Sequence, residues 1–197
     1  MKAYPFLYGL VRSIMFLWHP VFRVEGREHL QEDAQYIICP NHSGMADPIW
    51  VIFAMQLRKG NPCIMAKESV MKVPVLGAVL RCFGVFGVKR GENDVQAVKQ
   101  GLSVLKNGRS LMLFPEGTRV KPGKVVEPKS GALLFSLRTQ TPILPVYLQQ
   151  KRYPFSPLRC VIGEPYLPSE EKKLPPEELH RLTEELMEKI YALGETK

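Results

Sequence analysis

The chain has 197 residues, 45% of them apolar, and carries a formal charge of +8 with a sequence pI near 9.4. Its length and apolar share fit one well-buried core, expected over residues 21–197, with an N-terminal apolar segment over residues 1–20. The charge asks for an anionic partner, but there is no zinc-finger spacing, RNA-recognition aromatic motif or long basic helix. Acidic lipid or an acidic carrier protein therefore remains, and nucleic acid does not.

Ala3 to Trp18 is apolar and aromatic, broken by Arg12 and Ser13. It falls short of the roughly 20 residues of a membrane span. Trp18-His19-Pro20 does not supply the small residues of a signal-peptide cleavage site. A core helix or a helix lying in one leaflet is left, and the second is preferred, with Tyr, Trp and Arg near the headgroups. Val21 to Glu25 reads as a strand ended by Gly26, and Tyr36 to Cys39 as a buried one. The helix from Pro48 to Leu57 is apolar almost all round and is expected to be buried.

Strands follow at Pro62 to Ala66 and Val85 to Val88, with a short apolar helix at Pro74 to Phe83 between them. A helix beginning at Asn93 shows Val95, Val98, Leu102 and Leu105 at helical spacing, which predicts its core face, and Asn107-Gly108 stops it. Ser110 to Leu113 is a short apolar run, and Thr118 to Pro128 a basic surface loop. A helix from Lys129 to Arg138, strands at Ile143 to Leu148 and Arg159 to Ile162, and a C-terminal helix with Leu179, Leu182, Leu186, Ile190 and Leu193 on one side complete the chain. This alternation predicts an α/β fold: a mainly parallel or mixed sheet flanked by helices.

Two polar knots interrupt the apolar runs. In Asn41-His42-Ser43-Gly44-Met45-Ala46-Asp47-Pro48, His42 and Asp47 share a strand-to-helix crossing, where α/β sheets bind ligands and a carboxylate can orient a histidine. An aspartate before proline is equally the pattern of an ordinary helix N-cap, so both readings of Asp47 stand. The second knot is Phe114-Pro115-Glu116-Gly117-Thr118-Arg119. Lys67 and Arg90 fall just past strand ends, where cations can converge on a phosphate. Cys39, Cys63, Cys82 and Cys160 lack paired spacing and read as buried small hydrophobes; Cys39 beside His42 is read as core, not as a nucleophile. His19, His29 and His180 lack metal-ligand spacings, so no metal is expected.

Together, Asn41-His42-x4-Asp47, Lys67 with Val73-Pro74-x2-Gly77, Gly87-Val88-Lys89-Arg90, Phe114 to Arg119, and Leu144-Pro145-Val146 resemble, in family order, the glycerolipid acyltransferases, and among them the PlsC-type 1-acyl-sn-glycerol-3-phosphate (lysophosphatidate) acyltransferases. The resemblance covers roughly Val21 to Ile162. It implies acyl transfer from a thioester to the sn-2 hydroxyl of lysophosphatidic acid, giving phosphatidic acid, at the cytoplasmic face of a membrane. His42 is then the general base and Asp47 its orienting partner, while Arg90, Glu116, Gly117 and Arg119 form the glycerol-phosphate site. Lys67 serves the phosphate or the thioester carbonyl. No cofactor is implied; acyl-CoA or acyl carrier protein is the donor substrate. With no Gly-x-Ser-x-Gly elbow, direct attack by the acceptor is expected rather than an acyl-enzyme. Acylation of glycerol 3-phosphate or another lysophospholipid, and non-catalytic binding of anionic lipid, are the alternatives.

Overall fold

A computed structural model describes residues 3–56, 63–74, 76–82, 84–88 and 95–195. In chain order these form α1 (Ala3–Trp18), β1 (Phe22–Glu25), a short 3-10 turn (Arg27–His29), β2 (Ile37–Pro40), α2 (Asp47–Ala54) and β3 (Cys63–Lys67). Then follow α3 (Glu68–Met71), α4 (Leu76–Cys82), β4 (Val85–Val88), α5 (Val95–Lys106), β5 (Leu111–Met112), α6 (Gly131–Thr139), β6 (Ile143–Leu148), β7 (Leu158–Ile162) and α7 (Pro176–Glu195).

Among the described residues the strands form one sheet in the order β1-β7-β6-β2-β5-β3-β4, and every pairing is parallel except that of β6 with β7. The sheet is thus mixed. β2 is its pivot: the chain leaves it for β3 and β4 on one side, returns to insert β5 beside it, and then places β6 on its other flank. That is the switch point at which an open α/β sheet leaves a crevice beyond its strand ends.

The period of two along β2 divides the core. Ile38 faces one cluster with Trp50, Ile52 and Phe53 of α2; Ile37 and Cys39 face the other with Leu133 and Phe135 of α6 and Leu182, Leu186 and Ile190 of α7. Because β2 is covered on both faces it is apolar throughout, and Trp50, at 1% exposure, anchors the α2 layer. α2 is buried from Trp50 to Ala54, in keeping with its all-round apolar sequence.

α5 departs from the expected face. Its buried residues are Ala97, Gly101, Val104 and Leu105, whereas Val95 and Val98 are exposed. Small residues take the inner side because α6 packs closely: a Cβ on Gly101 would lie 2.6 Å from the Phe135 ring. Size at the contact outranks hydrophobicity here, a choice invisible to apolar spacing. Cys39, Cys63 and Cys160 are unpaired and buried, while the side chain of Cys82 lies outside the described part. Burial raises the thiols of Cys39 and Cys160, the latter to about 12, which removes Cys39 as a nucleophile.

α1 joins the first core layer. Tyr8 sits edge-on to Phe53 with centroids 5.1 Å apart, and Phe16 lies 5.8 Å from Trp50. Its outer side nevertheless exposes Phe6, Leu10, Ile14, Leu17 and Trp18. Among the described residues no helix is long and apolar enough to cross a membrane.

Candidate active site

The site begins where β2 ends. Pro40 pairs with Val146 as the last residue of the strand, and Asn41 then continues the ladder with its side chain: Nδ2 donates to the Leu148 carbonyl at 2.9 Å, and the Leu148 N–H donates to Oδ1 at 2.7 Å. Asn41 is wholly buried, and its amide does what a backbone pair would do for one more rung. In sequence, Asn41 is marked only by its place directly after the apolar run Ile37 to Pro40.

Held in this way, the next residue is pinned at both backbone groups by the second knot. The His42 N–H donates to Glu116 Oε2 at 2.5 Å, and the Val120 N–H donates to the His42 carbonyl at 2.7 Å. Register explains the meeting: β2 and β5 are parallel with Ile38 opposite Met112, so His42 and Glu116 each stand four residues beyond a paired position. The Phe114 ring stacks on the imidazole at 4.1 Å.

Asp47 is the first residue of α2 and is fully buried. Its carboxylate does not cap the helix. Oδ2 accepts from His42 Nδ1 at 3.0 Å, Ser43 N–H at 2.7 Å and Gly44 N–H at 2.8 Å, so it reaches back over the turn. Burial would raise the Asp47 pKa, but the His42 hydrogen bond, the nearby Arg152 charge and the Gly44 N–H together hold it below the ordinary aspartate range. An ionised carboxylate only accepts, so His42 must carry its proton on Nδ1. That leaves a lone pair on Nε2, for which no hydrogen-bond partner exists among the described residues. The ring is 16% exposed, enough to meet a ligand from the crevice side.

Arg152, in the segment after β6, was not foreseen. Its Nη1 donates to Asp47 Oδ1 at 2.5 Å, its Nη2 to Ser43 Oγ at 2.8 Å, and its Nε to the Gln149 carbonyl at 2.5 Å. Nothing in its local sequence marks it, because the contact spans 105 residues. Glu116, 3% exposed, is also surrounded by the chain's own donors: beyond His42 N–H, its Oε1 accepts from the Tyr191 hydroxyl of α7. Burial pushes the Glu116 carboxyl up, against the lowering effect of Tyr191 and the His42 N–H. Gly117 takes φ +64, a left-handed conformation suited to glycine. Arg119 is exposed and adjoins Val120, the residue bonded to His42. Lys67 closes β3 on the same side of the sheet, with its side chain outside the described part, and Arg90 lies outside the described residues. Among the described residues no cluster is suited to a metal ion.

The arrangement is an oriented imidazole whose Nε2 has no partner among the described residues, at the carboxyl ends of parallel strands and beside exposed basic sequence. Comparison with known proteins gives it a family. The acyltransferase family model matches residues 21–149. A curated 1-acyl-sn-glycerol-3-phosphate acyltransferase of Borreliella burgdorferi is 34% identical over 127 residues, 64% of this chain and 50% of that protein. One of Bacillus subtilis is 27% identical over 199 residues, covering 96% of each chain. The crystal structure of the 1-acyl-sn-glycerophosphate acyltransferase PlsC from Thermotoga maritima is similar with a TM-score of 0.71 and 27% identity, over 98% of this chain and 78% of that one. The chain spans about half the length of the first curated relatives it matches. With the matched region running from β1 to the end of β6 and containing both polar knots, this chain belongs to the acyltransferase family.

Proposed function

We propose that the chain transfers a fatty acyl group from an acyl thioester, acyl-CoA or acyl carrier protein, to the sn-2 hydroxyl of lysophosphatidic acid, forming phosphatidic acid. The observation that carries this reading is His42, with Nδ1 committed to Asp47 and Nε2 without a partner among the described residues, at the switch point of the sheet. Nε2 takes the acceptor hydroxyl proton as the oxygen attacks the thioester carbonyl. The carbon–oxygen bond forms, the carbon–sulfur bond breaks, and the imidazolium returns the proton to the leaving thiolate. General-base assistance of this kind contributes roughly 10²- to 10⁴-fold. Asp47 keeps the tautomer and stabilises the imidazolium.

Lys67, Arg90 and Arg119 hold the acceptor phosphate, and Gly117 admits the glycerol backbone beside them. Support comes from the strand-end location of Lys67 and from the one-residue separation of Arg119 from the Val120–His42 bond. Glu116 acts on the site through the chain, by fixing the His42 backbone, since its oxygens accept from His42 N–H and Tyr191. The relatives' shared designation as 1-acyl-sn-glycerol-3-phosphate acyltransferases supports lysophosphatidic acid over other acceptors. The outer side of α1 lies in the headgroup region of the cytoplasmic leaflet, making the protein peripheral or monotopic. Five exposed large apolar residues on one helix and a charge of +8 support this placement.

The test is an assay of purified protein with both donors against lysophosphatidic acid, glycerol 3-phosphate and other lysophospholipids, with His42→Ala as control. Transfer to lysophosphatidic acid that disappears in the variant is expected. Preference for another acceptor would reassign the substrate, and lipid binding without turnover in the wild type would remove the catalytic reading.

A further inference from the structure

We propose that Arg152 is a positioning residue for the transfer reaction, acting through Asp47 and Ser43 to hold the His42 imidazole in its working orientation. The inference rests on the catalytic reading of His42 given above. Asp47 presents two oxygens with unequal duties. Oδ2 accepts three N–H groups from the turn it closes, among them His42 Nδ1, while Oδ1 accepts from Arg152 Nη1. Without a donor at Oδ1, rotation of the carboxylate would cost less, and the His42 bond would share that looseness.

The guanidinium also holds the turn itself. Nη2 donates to Ser43 Oγ, between His42 and Gly44, so one planar group clamps both ends of the five-residue step from His42 to Asp47. The turn is built around this contact: a Cβ on Gly44 would come to 3.2 Å from Arg152 Nη1 and 3.1 Å from Asp47 Oδ1. Arg152 is in turn fixed by its Nε on the Gln149 carbonyl, at the end of the strand that Asn41 ties to β2. The side chain is 14% exposed, so the pair is shielded from the screening that weakens surface ion pairs.

A charge effect accompanies the geometric one. Near the pair stand His42 from the turn itself, Glu116 from the segment after β5 and Cys160 of β7. Arg152 is the cation in contact with the Asp47 carboxylate. Removing the guanidinium takes that neighbouring charge from the buried carboxylate and leaves Oδ1 without its donor.

The experiment compares wild type, Arg152→Gln, Arg152→Lys and His42→Ala in the same acyl-transfer assay. The NMR signal of the His42 Nδ1 proton supplies a readout that needs no substrate. For Arg152→Gln, kcat falls roughly 10- to 100-fold, by analogy with the loss when a group that orients a metal-ligating histidine is removed. KM stays within about threefold, as expected when ground-state binding is untouched. The Nδ1 proton signal weakens by exchange. Arg152→Lys restores part of kcat, since it keeps the charge but cannot span Asp47 and Ser43 together. If Arg152→Gln does not fold, Arg152→Lys alone decides, and wild-type kcat in it overturns the proposal. Wild-type turnover and an undiminished Nδ1 signal in a folded Arg152→Gln also overturn it. Absence of transfer by the wild type overturns the catalytic reading instead, and the Nδ1 signal then still reports whether Arg152 orders the pair.

Discussion

Asp47 shows most clearly how one residue can serve fold and site at once. Its carboxylate is fully buried, yet both oxygens are satisfied by donors from three places: the turn, the imidazole and Arg152. Asp47→Asn keeps the shape but turns an NH2 toward either Arg152 or the turn N–H groups, where a donor meets a donor. The expected outcome is a loss of about 1–3 kcal/mol in denaturant unfolding, the cost of leaving a buried polar group unsatisfied. A roughly 10²- to 10⁴-fold fall in kcat is expected as well, because the imidazole loses its tautomer control. The pH dependence follows from the direction of the pKa change. A carboxylate held below its unfolded value contributes stability that is present above about pH 4 and is lost as the pH falls through the depressed folded value. Glu116 has the reverse sign, because burial raises it, so its contribution favours the folded state in mild acid. Stability measured from pH 7 downward should show the gap between wild type and Asp47→Asn closing only below the ordinary aspartate range.

At the scale of elements, α7 reaches the site from the far side of the sheet. Leu182, Leu186 and Ile190 bury its stripe against α6 and β6, and one residue further on Tyr191 delivers its hydroxyl to Glu116, which in turn holds His42 N–H. Both Glu116 and the Gln150 amide contact that hydroxyl. Tyr191→Phe removes the donor while the Glu116 carboxyl stays buried, so about 1–3 kcal/mol of stability should be lost. A measurable fall in kcat should accompany it, with folding preserved in circular dichroism. Leu186→Ala tests the packing instead: a fully buried leucine replaced by alanine costs about 2–5 kcal/mol and lowers Tm, with activity per folded molecule retained. The two variants separate what α7 does for the site from what it does for the core.

At the scale of the molecule, the sheet collects distant segments at one edge. Its parallel strands send the β2 turn and the β5 segment to the same side, and β6 on the other flank of β2 brings Arg152. The outer side of α1 belongs to this scale too. Replacing Phe6, Leu17 and Trp18 together by serine should leave Tm within a few degrees, because each is exposed, while vesicles of anionic phospholipid retain less of the protein in flotation. Retention equal to wild type would assign the membrane contact elsewhere. Much of the molecule was legible in its sequence. The apolar runs located the strands, the all-round apolar α2 declared its burial, and the His42–Asp47 knot stood out because polar residues crowd the end of a buried strand. α5 was misread in its face because close packing favours Ala97 and Gly101 over valine, a preference that depends on Phe135 of another helix. Strand order, the transfer of Asp47 from helix cap to turn clasp, and the arrival of Arg152 and Tyr191 were decided by tertiary structure alone. Local patterning records which face of an element avoids water, whereas the Arg152 and Tyr191 contacts join residues 75 or more apart and exist only once the sheet has chosen its neighbours.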